Sequence, residues 1–258
     1  SDMIVVSPGV QLDIPVITRA KAIGIPVISE IELAYNFLSR PIIAITGTNG
    51  KTTTATLIGE ILKNGGKKVA IAGNIGFPLV AVDDSDLDCV VAEISSYQLE
   101  TIDQFKPWIS VILNITPDHL ERHRSMEAYA AAKARIFRNQ GRNDFLVYND
   151  DDEPTRQIAQ NATAGRIPFS RKKILNRGVF VERSIICSAI KRREVIGAMS
   201  DVKIPGLHNL ENALAAVTVG MLCGIPSSRI MQALKTFPGV EHRIEFVAEV
   251  GGVIFIND

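Results

Sequence analysis

The chain has 258 residues, 46% hydrophobic and 22% charged, and its 28 Lys+Arg balance 28 Asp+Glu to a formal net charge of zero. That length supports one large or two small domains, and that balance excludes both a disordered polyelectrolyte and a basic nucleic-acid-binding arm. Three further readings bound the class: Ala213–Ile225, the best candidate span, has 13 residues against the roughly 20 a bilayer needs; the first residues lack a signal peptide's basic start and apolar core; and Cys89, Cys187 and Cys223 are scattered with no C-x-x-C pair, which points to neither a zinc site nor a disulfide framework.

The expectation is a cytoplasmic, monomeric α/β protein with no nucleic-acid or membrane partner. Met3–Val6 reads as a strand ending at the turn Ser7-Pro8-Gly9, followed by a helix over Pro15–Ile23, a strand over Pro26–Ile28, and a helix capped by Ser29 that runs through Leu38. Two such units are too small to fold alone, so the chain is expected to begin inside a domain. Apolar runs rich in β-branched residues then recur at Ile42–Ile45, Lys67–Ala72, Cys89–Ile94, Ile109–Ile115 and Asp144–Tyr148, with helices over Thr53–Lys63 and Met126–Arg138. This alternation predicts a P-loop-type, mostly parallel sheet with helices on both faces. Residues 178–204 read as a β-meander, an antiparallel edge or small subsheet. Asn209–Cys223 is predicted helical, Ser227 is expected to cap another helix ending before Pro238, and strands follow over His242–Val247 and Val253–Ile256. The last of these ends so near Asp258 that a further domain is expected beyond it. The basic triplets 171–173 and 191–193 read as solvated loops.

The strand Ile42–Ile45 runs into Thr46-Gly47-Thr48-Asn49-Gly50-Lys51-Thr52-Thr53 and then a helix. Glycines let backbone N–H groups wrap a phosphate, and the helix N-terminus adds partial positive charge. Lys51 supplies a point charge for phosphate oxygens, and Thr52 offers a hydroxyl to Mg²⁺. The spacing departs from G-x-x-x-x-G-K-[ST], because position 45 is Ile; an ordinary βα turn is the alternative.

Glu93 closes an apolar run where open α/β sheets bind ligands, at a strand's C-terminal end. A carboxylate there could cap a helix or, beside a phosphate loop, bind Mg²⁺. His119, in Thr116-Pro-Asp-His119, also falls just past a strand and could be structural. Lys133 stands four residues after Tyr129, three before Ile136 and four before Phe137, on the helix's apolar face. Such a lysine either snorkels to solvent or loses its charge through a lowered pKa. A neutral amine can take up CO₂ as a carbamate, whose oxygens could hold a second Mg²⁺.

Together these motifs resemble the Mur ligase family of peptidoglycan synthesis, over essentially the whole chain. Thr46–Thr53 is similar to the family's ATP loop, and Glu93, His119 and Lys133 in Tyr129-Ala-Ala-Ala-Lys133 to its metal ligands. Gly206-Leu-His-Asn-Leu-Glu-Asn-Ala213 is similar to its adenine-side motif, His242-Arg243 to its phosphate-contacting arginine, and Asn257-Asp258 to the start of a further motif. The resemblance implies an ADP- and phosphate-forming carboxylate–amine ligase. ATP phosphorylates a carboxylate, an amine attacks the acyl phosphate, and phosphate leaves as the amide forms. It implies two Mg²⁺ sites, one on Thr52 and Glu93 and one on Glu93, His119 and carbamylated Lys133. It puts ATP on Gly47, Thr48, Asn49, Gly50, Lys51, Thr52 and Thr53, with Asn209 and Asn212 near adenine, Arg243 at the γ-phosphate and Asp258 at the ribose.

Within the family, Ser95-Ser-Tyr-Gln-Leu-Glu100 and Ser7-Pro8-Gly9 imply UDP-N-acetylmuramoyl-L-alanine and D-glutamate as substrates. Ser7 and Gly9 would then meet the UDP diphosphate and Asn74 the muramoyl part. The implied domains are 1–39, part of a UDP-substrate domain; 40–237, the ATP-binding domain; and 238–258, the start of a last domain that carries the D-glutamate site. A chain so divided is expected to keep the nucleotide core and to be inactive alone. The alternatives are another Mur or folylpolyglutamate-type ligase, or an ATP-binding P-loop module that ligates nothing.

Overall fold

The computed structural model describes residues 2–74, 76–240 and 245–257. Strands β3 (Ile42–Thr46), β4 (Val69–Gly73), β5 (Cys89–Glu93), β6 (Ile109–Ile112), β7 (Phe145–Asn149), β8 (Gly165–Ser170), β9 (Val179–Glu182), β10 (Ile185–Ser188) and β11 (Glu194–Ala198) form one nine-stranded sheet among the described residues. Its order is β11-β10-β9-β8-β7-β6-β3-β5-β4. Every neighbouring pair from β4 to β9 is parallel, and β9–β10 and β10–β11 are antiparallel. The expected meander is therefore a continuation of the main sheet. Two smaller sheets stand apart from it: a parallel pair of β1 (Ile4–Val6) with β2 (Val27–Ser29), and an antiparallel pair of β12 (Glu245–Val250) with β13 (Val253–Asn257).

All five residues of β3 and of β5 are buried, which explains why each is apolar up to its last residue, Thr46 and Glu93. Alternate side chains feed two cores. Ile43, Ile45, Val91 and Val111 pack with α3 (Lys51–Asn64), α8 (Leu207–Leu222) and α9 (Ser227–Thr236). Ile42, Ala44, Val90 and Ile112 pack with α2 (Glu30–Tyr35) and α6 (Met126–Ala134) on the other face.

α2 is bound to the connection that leads into β6 by a buried carboxyl side chain. Glu32, 3% exposed, accepts the backbone N–H groups of Asp103, Gln104 and Phe105 at 2.9, 2.7 and 3.0 Å. Ser29 caps the same helix by accepting from Glu32 N, as expected.

From β3 the chain crosses to the edge strand β4, returns to β5 beside β3, and then passes to β6 on β3's other side. The order reverses there, which opens a crevice beyond the C-terminal ends of β3, β5 and β6.

Several expectations change. β8 was not foreseen, because Gly165 and Pro168 interrupt its apolar pattern. β9 pairs only with its last two residues, Phe169 and Ser170, so Pro168 lies where β8 has one neighbour. The helix expected through Arg138 ends at Ala134 and tightens into a 3₁₀ turn over Arg135–Phe137. α2 stops at Tyr35, short of Leu38. Ser227 does not cap α9: Pro226 occupies that position, and the Ser227 hydroxyl donates to Glu194 Oε2 at 3.0 Å. The strand expected from His242 is described only from Glu245. Unforeseen short helices are α4 (Ser96–Leu99), which opens with a Ser95/Gln98 capping box, and α5 (Leu120–His123), with the longer α1 (Pro15–Ala22) as expected and α7 (Glu153–Ala159) not.

Candidate active site

The loop after β3 turns into α3 at Gly50, whose φ of 83° is left-handed. A Cβ there would also collide with Oδ1 of Asn212, so glycine is required twice over. Asn114 clips the loop in place: its side chain accepts from Asn49 N at 2.9 Å and donates to Asn49 O at 3.1 Å. Thr48 is tied to the next strand's exit by Thr48 Oγ1 to Thr116 O (3.2 Å) and Thr116 N to Thr48 Oγ1 (3.1 Å). Lys51 curls back so that Nζ donates to the carbonyls of Gly47 and Thr48 at 3.1 and 2.8 Å. A cavity of about 180 Å³ is lined by Thr48, Asn49, Gly50, Lys51, Thr52, Thr53, Asn74 and Glu93. A left-handed glycine, the opening of a 14-residue helix and a lysine over the cavity suit a chain of phosphates.

Glu93 ends β5, 2% exposed, and both carboxylate oxygens have partners. Thr52 Oγ1 donates to Oε2 at 2.9 Å and Asn74 Nδ2 to Oε1 at 3.2 Å. Gly73, at φ 110°, lets the chain close over the Glu93 backbone, where Asn74 N donates to Glu93 O at 2.8 Å. A hydroxyl and a carboxylate side by side are hard oxygen donors of the kind Mg²⁺ prefers, and residues 52 and 93 fit one such ion.

Lys133 does not snorkel. It is 1% exposed, donates from Nζ to Gly47 O at 2.9 Å, and lies 4.4 Å from the centroid of the Tyr129 ring. Burial, reinforced by the like charge of Lys51, pulls its ammonium down to about 7. The lysine from α6 and the phosphate loop thus share one carbonyl. Tyr129 OH and Thr48 Oγ1, 3.3 Å apart, form a second contact between them.

His119 is placed differently from its expected company. It is exposed, takes a left-handed φ of 52°, and has its ring beside Tyr97, Tyr129 and the Asp118 carboxylate. No hydrogen bond or ion pair described here joins it to Glu93, and among the described residues no group of three or more His, Cys, Asp or Glu is arranged to hold a metal. The residue that is buried in this segment is His123, joined to Ser96 Oγ through Nε2 at 3.0 Å and packed against Tyr97 and Tyr129. Burial holds its basicity below that of an ordinary imidazole.

A second cavity, about 640 Å³, is lined by residues that include Gly9, Tyr97, His119, Arg122 and Arg124. Gly9 and His119, 110 positions apart, thus face the same space. Ser7 lies at the root of that turn, accepting Val10 N at 3.0 Å. Strand β5 leads to both cavities, Glu93 lining the first and Tyr97, four residues on, the second.

Asn209 and Asn212 open α8, 8% and 4% exposed, with Asn212 Nδ2 donating to Asn209 Oδ1 at 3.2 Å. Asn212 stands against Gly50, which brings this pair beside the loop. Arg243 and Asp258 lie outside the described residues. Sequence reasoning missed Asn114, Arg122 and His123. His123 had a signal in its spacing of four from His119; Asn114 had only its polarity at the end of an apolar run.

The sequence model of the Mur ligase middle domain matches residues 45–220. The chain is 50% identical over 259 residues to UDP-N-acetylmuramoylalanine–D-glutamate ligase of Caldanaerobacter subterraneus subsp. tengcongensis, and 51% over 260 residues to the protein of that name from Thermoanaerobacter sp. strain X514. Each match covers all of this chain and 57% of the relative, so the chain spans a little over half the length of these curated relatives. Among solved structures it is similar to UDP-N-acetylmuramate–alanine ligase of Thermotoga maritima, with a TM-score of 0.63 and 26% identity over all of this chain and 60% of that one. A likeness of fold extends to UDP-N-acetylmuramoylalanyl-D-glutamyl-2,6-diaminopimelate–D-alanyl-D-alanyl ligase of Acinetobacter baumannii, with a TM-score of 0.67 and 20% identity over 88% of this chain and 52% of that one.

Proposed function

Because the chain belongs to the Mur ligase family, we propose that it is the ATP-handling part of a peptidoglycan ligase that adds D-glutamate to UDP-N-acetylmuramoyl-L-alanine through an acyl phosphate. The substrates follow the names of relatives about 50% identical over the whole chain. The observation that carries the reading is the convergence of Lys51, Thr52, Asn74 and Glu93 on one cavity, with the Gly9–His119 cavity reached from the same strand.

In this reading Lys51 exchanges the carbonyls of Gly47 and Thr48 for β- and γ-phosphate oxygens, while the loop amides and the start of α3 bind the rest of the triphosphate. Thr52 and Glu93 would hold one Mg²⁺; a second, on Glu93, His119 and a carbamylated Lys133, would require His119 to turn from Tyr97 and Asp118 towards Glu93. Bound there, the ions would neutralise charge on the phosphates and the acceptor carboxylate. With its ammonium pulled down to about 7, a large share of Lys133 is a neutral amine near that pH. Its nitrogen can bond to CO₂ with release of a proton, giving a carbamate. No protein nucleophile is needed, since phosphoryl transfer to a carboxylate depends on alignment and charge stabilisation. Asn74 would meet the muramoyl part, Ser7 and Gly9 the diphosphate, Asn209 and Asn212 the adenine, Arg243 the γ-phosphate and Asp258 the ribose. Residues 40–237 would form the ATP-binding unit, 1–39 part of the UDP-substrate unit and 238–258 part of a third.

The test is titration calorimetry with a non-hydrolysable ATP analogue and with UDP-N-acetylmuramoyl-L-alanine, followed by phosphate release with each acceptor. Binding of both, with tighter binding of this acceptor than of its longer peptide forms or a folate, is the expected result. Nucleotide binding with no acceptor binding would overturn the reading in favour of a P-loop module. At 57% of the relatives' length, the 258 residues alone are expected to form the amide far more slowly than an intact ligase.

A further inference from the structure

Arg122 joins three stretches of chain that are remote in sequence. Its Nε and Nη2 donate to the two carboxylate oxygens of Glu100, at 3.2 and 2.7 Å, and Nη2 also donates to Val10 O at 2.9 Å. The guanidinium carbon stands 4.8 Å from the Tyr97 ring centroid. Both partners of the ion pair are mostly buried, each 18% exposed in its side chain. Arg122 sits on the four-residue helix α5, between His119 and Arg124, both non-glycine residues with left-handed φ of 52° and 65°. That unusual backbone aims α5 at the turn Ser7–Val10, which is closed from within by Val10 N to Ser7 O at 3.0 Å.

We infer that Arg122 is a positioning residue: by fastening the Val10 carbonyl to the Glu100 carboxylate and the Tyr97 ring, it fixes the Ser7–Val10 turn as one wall of the larger cavity and so sets the affinity for the UDP-linked acceptor. This rests on the proposal that the larger cavity receives that acceptor. The turn is anchored on both sides of one residue, internally through the Val10 amide and externally through the Val10 carbonyl. Gly9, between these anchors and Ser7, faces the cavity with Arg122 itself. Only a planar fork serves a carboxylate, a carbonyl and a ring face together; an ammonium is a single point charge. The ligand class, a nucleoside diphosphate sugar, is taken from the function proposed for that cavity.

The test compares affinities for UDP-N-acetylmuramoyl-L-alanine and for an ATP analogue in the wild-type protein, Arg122→Lys, Arg122→Ala, Glu100→Gln and the double variant Arg122→Ala/Glu100→Gln. Arg122→Ala is expected to weaken UDP-acceptor binding about thirtyfold and Arg122→Lys about tenfold, with nucleotide affinity within about twofold of wild type in both. Glu100→Gln is expected to cost a few fold, and the double variant no more than Arg122→Ala alone, since both remove one assembly. Unchanged UDP-acceptor affinity in Arg122→Ala overturns the inference while leaving the functional reading intact. Equal losses for both ligands also overturn it, because they mark a merely structural residue; Arg122→Lys, which keeps the charge and the bulk, guards against a variant that fails to fold. A wild-type protein that binds the nucleotide and not the UDP-acceptor removes the functional reading and the inference with it.

Discussion

The phosphate loop at 46–54 and the segment at 116–125 stand at the exits of adjacent strands and are made in opposite ways. The loop is shaped mostly by its own sequence, with Asn114 and Thr116 as outside clips: a left-handed glycine, a lysine that folds onto carbonyls three and four residues back, and a helix that starts at once. The 116–125 segment is shaped by distant partners. Two non-glycine residues take left-handed backbones, and Arg122 and His123 reach Val10, Glu100 and Ser96. A contiguous anion cradle can be read as a string, whereas a wall assembled from remote contacts cannot. The two meet at Thr48, which bonds to Thr116, and at Gly47, whose carbonyl receives Lys133.

That seam gives the largest expected effect. The Lys133 ammonium is held down to about 7 in the folded protein against an ordinary 10.5. Between those values the unfolded chain binds more protons, so wild-type stability rises as pH climbs from about 7 towards 10.5. Lys133→Met removes this slope. At pH 6 the variant is expected to be more stable than wild type by about 2–4 kcal/mol, narrowing as pH approaches 10, in denaturant melts across pH. A wild-type curve flat over that range would show that the burial has no such cost.

Next in size, Lys51→Met is expected to weaken ATP-analogue binding about a hundredfold with little change in melting temperature, by titration calorimetry. Gly50→Ala is expected to lower stability by about 1–3 kcal/mol, because it combines a left-handed backbone with a collision at Asn212, and Gly50→Ala/Asn212→Ala to recover part of that loss. The smallest effect separates the two regions most sharply. Arg124→Gly, at the same kind of backbone angle, is expected to move stability by less than about 1 kcal/mol either way. A loss from Arg124→Gly as large as that from Gly50→Ala would break the contrast.

Legibility in the sequence followed this division. The apolar runs disclosed the parallel strands because strands buried on both faces need no polar positions; the loop motif named Lys51 and Thr52, the end of an apolar run named Glu93, and the three line one cavity. The spacing around Lys133 correctly put it on the buried face. β8 was hidden because Pro168 and Gly165 carry turn signals that the sheet tolerates only through its staggered pairing. His119 was read from its place after a strand, yet a left-handed backbone turns it towards Tyr97 and Asp118, and no local pattern announces that angle. Arg122 was invisible for a simpler reason: its partner carbonyl lies 112 positions away.

The grip of Glu32 on three successive amides has a mechanical consequence. A pull on the first residues of the chain is carried along routes that include one through Ser29 and α2 into the amides of 103–105 and another through Val10 into Arg122 and Glu100. The first route ends in three main-chain amides and the second in side chains at the edge of a cavity. Under load the second is the one to yield, and the segment before Ser29 then swings about α2 as a gate swings on its post.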